Sequence, residues 1–289
     1  MFLSWHGYLP KKKDQMKAPR IKAANEISII IPVKNNQQGV NLFFKSFFKT
    51  HKSEQFPSEI LIVDNPGFTT YIPPKFVNGS TEIRVMQCDT IGPASARNMG
   101  WRVARSEWIL FTDSDCIPTS TWLTGYLEAS DESIGYAGHI SSFGQDVISR
   151  YYESQRILLP SCYSKEGTTY PDYLITANAL VWKKALEEIG GFNDAIKIAA
   201  GEDIDLGFRL REIGDLSFAP NSLVYHNFDD GLLGFIKRFK RYGKGNRTLS
   251  KIYSLNMRPR DIKPKEKTLT NSVLSYIQYL SLLWGYRFG

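Results

Sequence analysis

The chain has 289 residues, 42% hydrophobic and 22% charged, with a formal net charge of +7. This is an ordinary globular balance, long enough for one large α/β domain or two small ones. Three cysteines, Cys88, Cys116 and Cys162, stand far apart with no Cys-x-x-Cys pair, which argues against a zinc cluster or a disulfide framework and favours a reducing compartment.

Residues 1–25 read as a basic N-terminal arm, with Lys11, Lys12, Lys13, Lys17, Arg20 and Lys22 crowded together. No signal peptide is read there, because the apolar start is followed rather than preceded by the lysines. Ile27-Ser28-Ile29-Ile30-Ile31 is then a β-branched run stopped by Pro32, as a buried parallel strand requires. Val40, Phe43, Phe44, Phe47 and Phe48 follow at helical spacing. Ile60-Leu61-Ile62-Val63 predicts a second strand ending at Asp64, Ile83-Arg84-Val85-Met86 a third, and Trp108-Ile109-Leu110-Phe111-Thr112 a fourth ending at Asp113. A helix over 94–104 lies between the last two. Strands alternating with helices predict a mostly parallel open sheet flanked by helices, in the Rossmann-like manner.

Further along, helices are expected over 151–159, 183–188 and 203–213, and strands over 174–181 and at Leu223-Val224-Tyr225. Gly214 stands where a left-handed helix cap is wanted. Basic residues recur from Lys237 to Arg247 and from Arg258 to Lys267. They suit phosphate-bearing ligands or an anionic membrane surface, whereas nucleic acid is not expected, since no recognition motif accompanies them. Residues 273–288 are apolar and aromatic but short of a comfortable span, and read as an interfacial or capping helix.

The chemistry concentrates at strand ends. Asn35, Asp64 and Asp113 lie at or just past three predicted strands, the edge where open α/β sheets bind ligands. No Gly-x-Gly-x-x-Gly follows the first strand and no phosphate loop occurs, so a nucleotide must be held otherwise. Asp113-Ser114-Asp115 sets two carboxylates on one turn, suited to a hard divalent ion beside a diphosphate, though a lone Asp-x-Asp is common and can be a simple turn. Gly201-Glu202-Asp203-Ile204-Asp205 opens a helix with three acids in four residues, more than capping needs. Asp203 and Asp205 are both candidate general bases.

Taken in order, Ile29-Ile30-Ile31-Pro32-Val33-Lys34-Asn35, Ile62-Val63-Asp64, Ala96-Arg97-Asn98-Met99-Gly100, Phe111-Thr112-Asp113-Ser114-Asp115, Gly190-Gly191-Phe192, Gly201-Glu202-Asp203 and His226 resemble family 2 glycosyltransferases of the GT-A fold. The resemblance implies that Pro32, Lys34, Asn35 and Asp64 border the nucleotide base, Asp64 on a uracil-like edge. It further implies that Arg97, Asp113 and Ser114 contact the donor, and that Asp115 holds Mn²⁺ or Mg²⁺ with His226 completing the metal or phosphate site. Asp203 would be the catalytic base, Glu202 would shape the acceptor side, and Arg238 and Arg241 would lie on a loop closing over the diphosphate. Asp64 is followed by Asn65-Pro66-Gly67 rather than a second acid, a departure from the family pattern.

The resulting expectation is a GT-A domain over 26–250, with a nucleotide-binding half (26–125) and an acceptor half (126–250), followed by an amphipathic helical tail (251–289). It would be a metal-dependent inverting transferase, moving a sugar from a nucleotide-sugar donor, a UDP-sugar by expectation, to an acceptor hydroxyl of a glycan, a lipid-linked glycan or a small molecule. Its expected location is the cytoplasm or the inner face of the membrane. A sugar nucleotidyltransferase and a degenerate, non-catalytic binding protein are the alternatives.

Overall fold

The computed structural model describes residues 15–65, 81–165, 167–228 and 231–289. Lys11, Lys12, Lys13, Pro66 and Gly67 lie outside the described residues. The first half follows the expected rhythm. The strands are β1 (Ile27–Val33), β2 (Glu59–Asp64), β3 (Glu82–Gln87) and β4 (Trp108–Thr112), with helices α1 (Gln37–Thr50) and α2 (Pro93–Val103) between them. β2 and β4 flank β1 in parallel, pairing Ile30 with Leu61 and Ile29 with Leu110. Both faces of these strands are covered, so β2 and β4 are buried throughout, the reason their sequences are continuous apolar runs. Val40, Phe43, Phe44 and Phe47 form the buried face of α1, and Phe43 meets Trp122 edge-to-face at 5.8 Å.

The second half comprises β5 (Cys116–Pro118), α3 (Trp122–Ala129), β6 (Gly135–Ser142), α4 (Val147–Gln155) and the hairpin β7 (Cys162–Lys165) with β8 (Thr168–Pro171). These are followed by β9 (Asn178–Trp182), α5 (Lys183–Ile189), α6 (Glu202–Ile213), β10 (Leu216–His226), α7 (Gly231–Tyr253) and α8 (Leu269–Phe288). The main sheet has eight strands in the order β3-β2-β1-β4-β9-β6-β10-β5. β9 runs antiparallel to both β4 and β6, and β5 antiparallel to β10, while the other strands share one direction. The architecture is therefore the mostly parallel, helix-flanked sheet of the GT-A type. The ends of β1, β2, β4 and β10 open on one edge.

Several local expectations are corrected. The helix placed at 151–159 spans 147–155 instead, started by the Asp146 side chain on the Ile148 and Ser149 amides and stopped by Arg156 at φ 52. The strand expected over 174–181 begins only at Asn178. β10 is eleven residues long, its register slipping between Ala219 and Leu223 around Pro220. Gly214 is extended, with φ −170, not left-handed. What demands glycine there is space, since a Cβ would strike Ile134 at 2.7 Å. Within the N-terminal arm, Ala18 and Ile21 are buried and the Ala18 amide donates to the Glu132 carbonyl at 3.0 Å. The described part of the arm is thus docked.

The basic segment 237–247 is the middle of one 23-residue helix, α7. A loop closing over a diphosphate is therefore not what Arg238 and Arg241 belong to. α8 packs on α7 where two glycines meet backbone: a Cβ on Gly243 would overlap the Leu282 carbonyl, and one on Gly285 the Lys240 carbonyl. Such small-residue contacts let helix axes approach closely.

Candidate active site

A cavity of about 510 Å³ lies at the C-terminal edge of the parallel strands, within the range of small-molecule sites. Its wall draws Pro32 and Lys34 from the end of β1, and Asp113, Ser114 and Asp115 from the turn after β4. Glu202 and Asp203 come from the start of α6, His226 from the end of β10, and Arg97, Arg238 and Arg241 from α2 and α7. Residues more than 100 positions apart in sequence thus meet where strand termini leave space for a ligand.

The turn after β4 is held from below. Asn36 caps α1, its Oδ1 accepting from the Gly39 amide at 3.0 Å, while its Nδ2 donates to Ser114 Oγ at 3.0 Å. Asp113 then meets the buried Arg97. The guanidinium donates through Nη2 to Asp113 Oδ1 at 2.8 Å and through Nη1 to Glu202 Oε1 at 3.0 Å. Burial opposes the Arg97 charge, but the two carboxylates outweigh it and hold its pKa above the ordinary value. Arg97 therefore ties the Asp113 turn to the start of α6. Glu202 is also buried, and burial pushes its carboxyl up despite Arg97. Its second oxygen, Oε2, finds no hydrogen-bond partner, although it belongs to a cavity wall.

Asp203 and Asp205 differ in kind. Asp205 is fully buried, its Oδ2 accepting from Arg209 Nε at 2.9 Å and Nη2 at 2.6 Å, and its Oδ1 from the Tyr253 hydroxyl at 2.8 Å. It anchors α6. Asp203 instead faces the cavity, and burial followed by the nearby Glu202 charge pushes its pKa up to about 7. A carboxylate at that value is half-ionised at neutral pH and can both take and release a proton.

Asp115 and His226 face each other across the β5–β10 pairing. His226 Nδ1 lies 3.1 Å from the Asn227 carbonyl, which can only accept, so that nitrogen carries hydrogen. His226 Nε2 is 3.5 Å from Asp115 Oδ1. With Nδ1 engaged by the carbonyl, Nε2 and the Asp115 carboxylate lie side by side, an arrangement that fits a cation held by both. Ligand atoms of Asp115, Cys116 and His226 lie within 4.8 Å of one another. Cys116 is a poor third ligand: burial pushes its thiol well up, and its Sγ donates to the Ala177 carbonyl. Asp115 and His226 fit a hard divalent ion completed by phosphate oxygens.

Two expected donor residues do not line the cavity. Asp64 is buried at the end of β2, its Oδ2 accepting from Gln87 Nε2 at 3.1 Å. Asn35 takes a left-handed turn at φ 53, and the next residue, Asn36, lines the cavity in its stead. Asn65, Tyr173, Tyr242 and Phe228, none of them expected at the site from sequence, are also on the wall. The Asn65 amide group bridges the Thr90 carbonyl and the Gly92 amide, and Phe228 stacks on His226 at 4.3 Å. Asn36 was detectable as a helix cap, but the tyrosines carry no local signal.

A model described as glycosyl transferase family 2 matches residues 28–190, more than half of the chain. The chain belongs to glycosyl transferase family 2. The family that matches is thus a glycosyl transferase family and not a nucleotidyltransferase one. The matched range holds the Asp113-Ser114-Asp115 turn, whereas Glu202, Asp203 and His226 lie beyond it. The chain is 27% identical over 237 residues to the pre-mycofactocin glycosyltransferase of Mycobacterium tuberculosis, covering 78% of this chain and 48% of that one. It spans about half the length of that relative. Glycosyltransferase AglE of Haloferax volcanii is 24% identical over 212 residues, covering 69% of this chain and 66% of AglE.

Among solved structures, the mannosyltransferase PcManGT from Pyrobaculum calidifontis, in complex with GDP-Man and Mn²⁺, superposes with a TM-score of 0.54. It is 13% identical, over 96% of this chain and 74% of that one. S. aureus TarS 1-349 in complex with UDP-GlcNAc gives 0.53 at 15% identity, over 82% and 68%. At such identities the likeness of this family 2 chain to both is one of fold.

Proposed function

We propose that this family 2 chain is an inverting glycosyltransferase that moves a sugar from a nucleoside-diphosphate donor to an acceptor hydroxyl. The observation carrying this reading is the meeting of the Asp113-Ser114-Asp115 turn and the Glu202-Asp203 helix start in one cavity. Asp203 accepts the proton of the acceptor hydroxyl, and the freed oxygen attacks the anomeric carbon. The bond from that carbon to the diphosphate oxygen breaks, and the configuration inverts. Arg238 and Arg241, on the cavity wall, favour the diphosphate by charge. Asp115 and His226 would hold Mn²⁺ or Mg²⁺, which when bound supplies charge neutralisation of the leaving group. Support for a metal comes also from PcManGT and GalNAc-T7, both solved with Mn²⁺.

The expectation of a UDP-sugar rests on Asp64, whose carboxylate is engaged by Gln87, so GDP-sugars belong in the same screen. The acceptor is a hydroxyl of a glycan, a lipid-linked glycan or a small molecule, and the location the cytoplasm or the inner membrane face. The test is thermal shift with a panel of nucleotide sugars and Mn²⁺, followed by measurement of released nucleoside diphosphate with and without acceptors. Donor hydrolysis by the wild type, lost in Asp203→Asn with donor binding retained, supports the reading. No stabilisation by any donor would reduce the chain to a non-catalytic relative.

A further inference from the structure

The helix that closes the chain is not covered on its outer side. Leu269, Val273, Tyr276, Leu280, Trp284 and Phe288 of α8 are 83, 50, 58, 45, 48 and 70% exposed. Their spacing of three and four residues puts them on one stripe. Leu274, Ser275, Gln278, Ser281, Leu282 and Gly285 form the opposite, buried side. There Gln278 accepts from the Tyr151 hydroxyl at 2.6 Å and Gly285 rests on the α7 backbone. The stripe is therefore fixed in place by packing and faces outward. No helix among the described residues is long and apolar enough to cross a membrane.

The charge around the stripe is predominantly positive. From residue 231 to residue 289 there are 13 lysines and arginines against two acids, Asp261 and Glu266, and α7 and α8 contain no acid at all. Lys240 places its ammonium 4.1 Å from the Trp284 ring centroid, and Arg247 donates to the carbonyls of Arg287 and Gly289 at 3.1 Å each. The cations are thus beside the stripe, not on a distant surface.

We propose that the outer face of α8, with the basic residues of α7 beside it, docks on an anionic lipid bilayer. An apolar aromatic stripe with flanking Lys and Arg suits a helix lying in the headgroup region. A second copy of this chain fits poorly, because a two-fold contact would bring this cationic face against itself. The docking refines the location given above and does not depend on the reaction. It also has a geometric result. Arg238 and Arg241 of α7 line the cavity, while Lys240 and Gly243 of the same helix carry α8, so α7 and α8 stand between the cavity and the lipid.

Vesicle flotation with the full chain tests this, without reference to glycosyl transfer. The wild type is expected to float with phosphatidylcholine vesicles containing phosphatidylglycerol, less so at high salt, and not with phosphatidylcholine alone. Leu280→Asp with Trp284→Asp should cut the bound fraction at least ~10-fold, with circular dichroism and melting unchanged. Val103→Asp, at a 44% exposed site on α2, should float like the wild type. Lys237→Gln with Arg287→Gln should weaken binding roughly 25-fold, from about fivefold per charge. Equal flotation of the double aspartate variant, no flotation of the wild type, or equal binding to neutral vesicles overturns the proposal. So does a wild-type dimer in light scattering that the double aspartate variant dissolves, since the face then belongs to a second copy.

Discussion

Arg97 Nη1 lies 3.0 Å from Glu202 Oε1, and both side chains are sealed from solvent at 4 and 6% exposure. The pair joins the second turn of α2 to the first residue of α6, and through Asp113 it reaches the turn after β4. Removing one partner of a buried pair leaves a charge without compensation, which costs about 3–5 kcal/mol. Arg97→Met is therefore expected to destabilise by about 3 kcal/mol in denaturant unfolding. In a double-mutant cycle with Glu202→Gln the coupling should be at least about 1 kcal/mol; a value near zero would mean that the two side chains act independently.

Asp203 gives a pH signature in both rate and stability. With its pKa at about 7, kcat/KM should fall tenfold per pH unit below that value, as the base is protonated, and level off above it. For stability the sign runs opposite to that of an ion-paired acid. The folded state holds its proton more tightly than the unfolded state, so stability is lost as pH rises from about 4 to about 7 and stays lower beyond. Asp203→Asn removes that penalty and should stabilise the protein at pH 8 by up to about 4 kcal/mol, while abolishing transfer. A variant that transfers at the wild-type rate removes Asp203 as the base.

The Asp115–His226 pair predicts a divided metal phenotype. Asp115→Ala should abolish the Mn²⁺-dependent part of donor binding in calorimetry. His226→Ala keeps the carboxylate and should weaken that part by roughly 10–100-fold. Cys116→Ser should leave it unaltered, because the thiol is bound to the Ala177 carbonyl; a loss equal to that of Asp115→Ala would make the sulfur a ligand.

At the α7–α8 crossing, Gly285→Ala places a methyl group into the Lys240 carbonyl. Overpacking of this kind costs about 1–3 kcal/mol, and the strain is relieved most readily by α8 lifting away. Limited proteolysis should then cleave within 254–268 faster than in the wild type, and a Gly285→Ala chain as resistant as the wild type would contradict the close contact.

The parallel half of the fold was legible because strands covered on both faces must be apolar throughout, as in Ile60-Leu61-Ile62-Val63. The acids were legible because Asp113 and Asp115 follow such a strand directly. Elsewhere the signal fails for identifiable reasons. β6 reads Gly-Tyr-Ala-Gly-His-Ile-Ser-Ser, poor in β-branched residues, and takes its place by pairing with β9 and β10. The hairpin β7–β8 is short and exposed on most positions, so it carries no alternation of burial. Asp205 differs from Asp203 only through Arg209 and Tyr253, and Tyr253 is 48 residues distant. Tyr173 and Tyr242 reach the cavity by tertiary packing alone.

β9 enters the sheet between β4 and β6, antiparallel to both, pairing Leu110 with Leu180 on one side and Tyr136 with Leu180 on the other. A strand made late in the chain therefore joins the strands of the first half to those of the second. Cutting the polypeptide near residue 125 would leave β4 with a bare edge in one fragment and strip β9 of half its ladder in the other. Exchanging the second half with that of a relative accordingly requires that the graft bring its own strand against β4, with side chains matched to Leu110 and Phe111, rather than end at a loop.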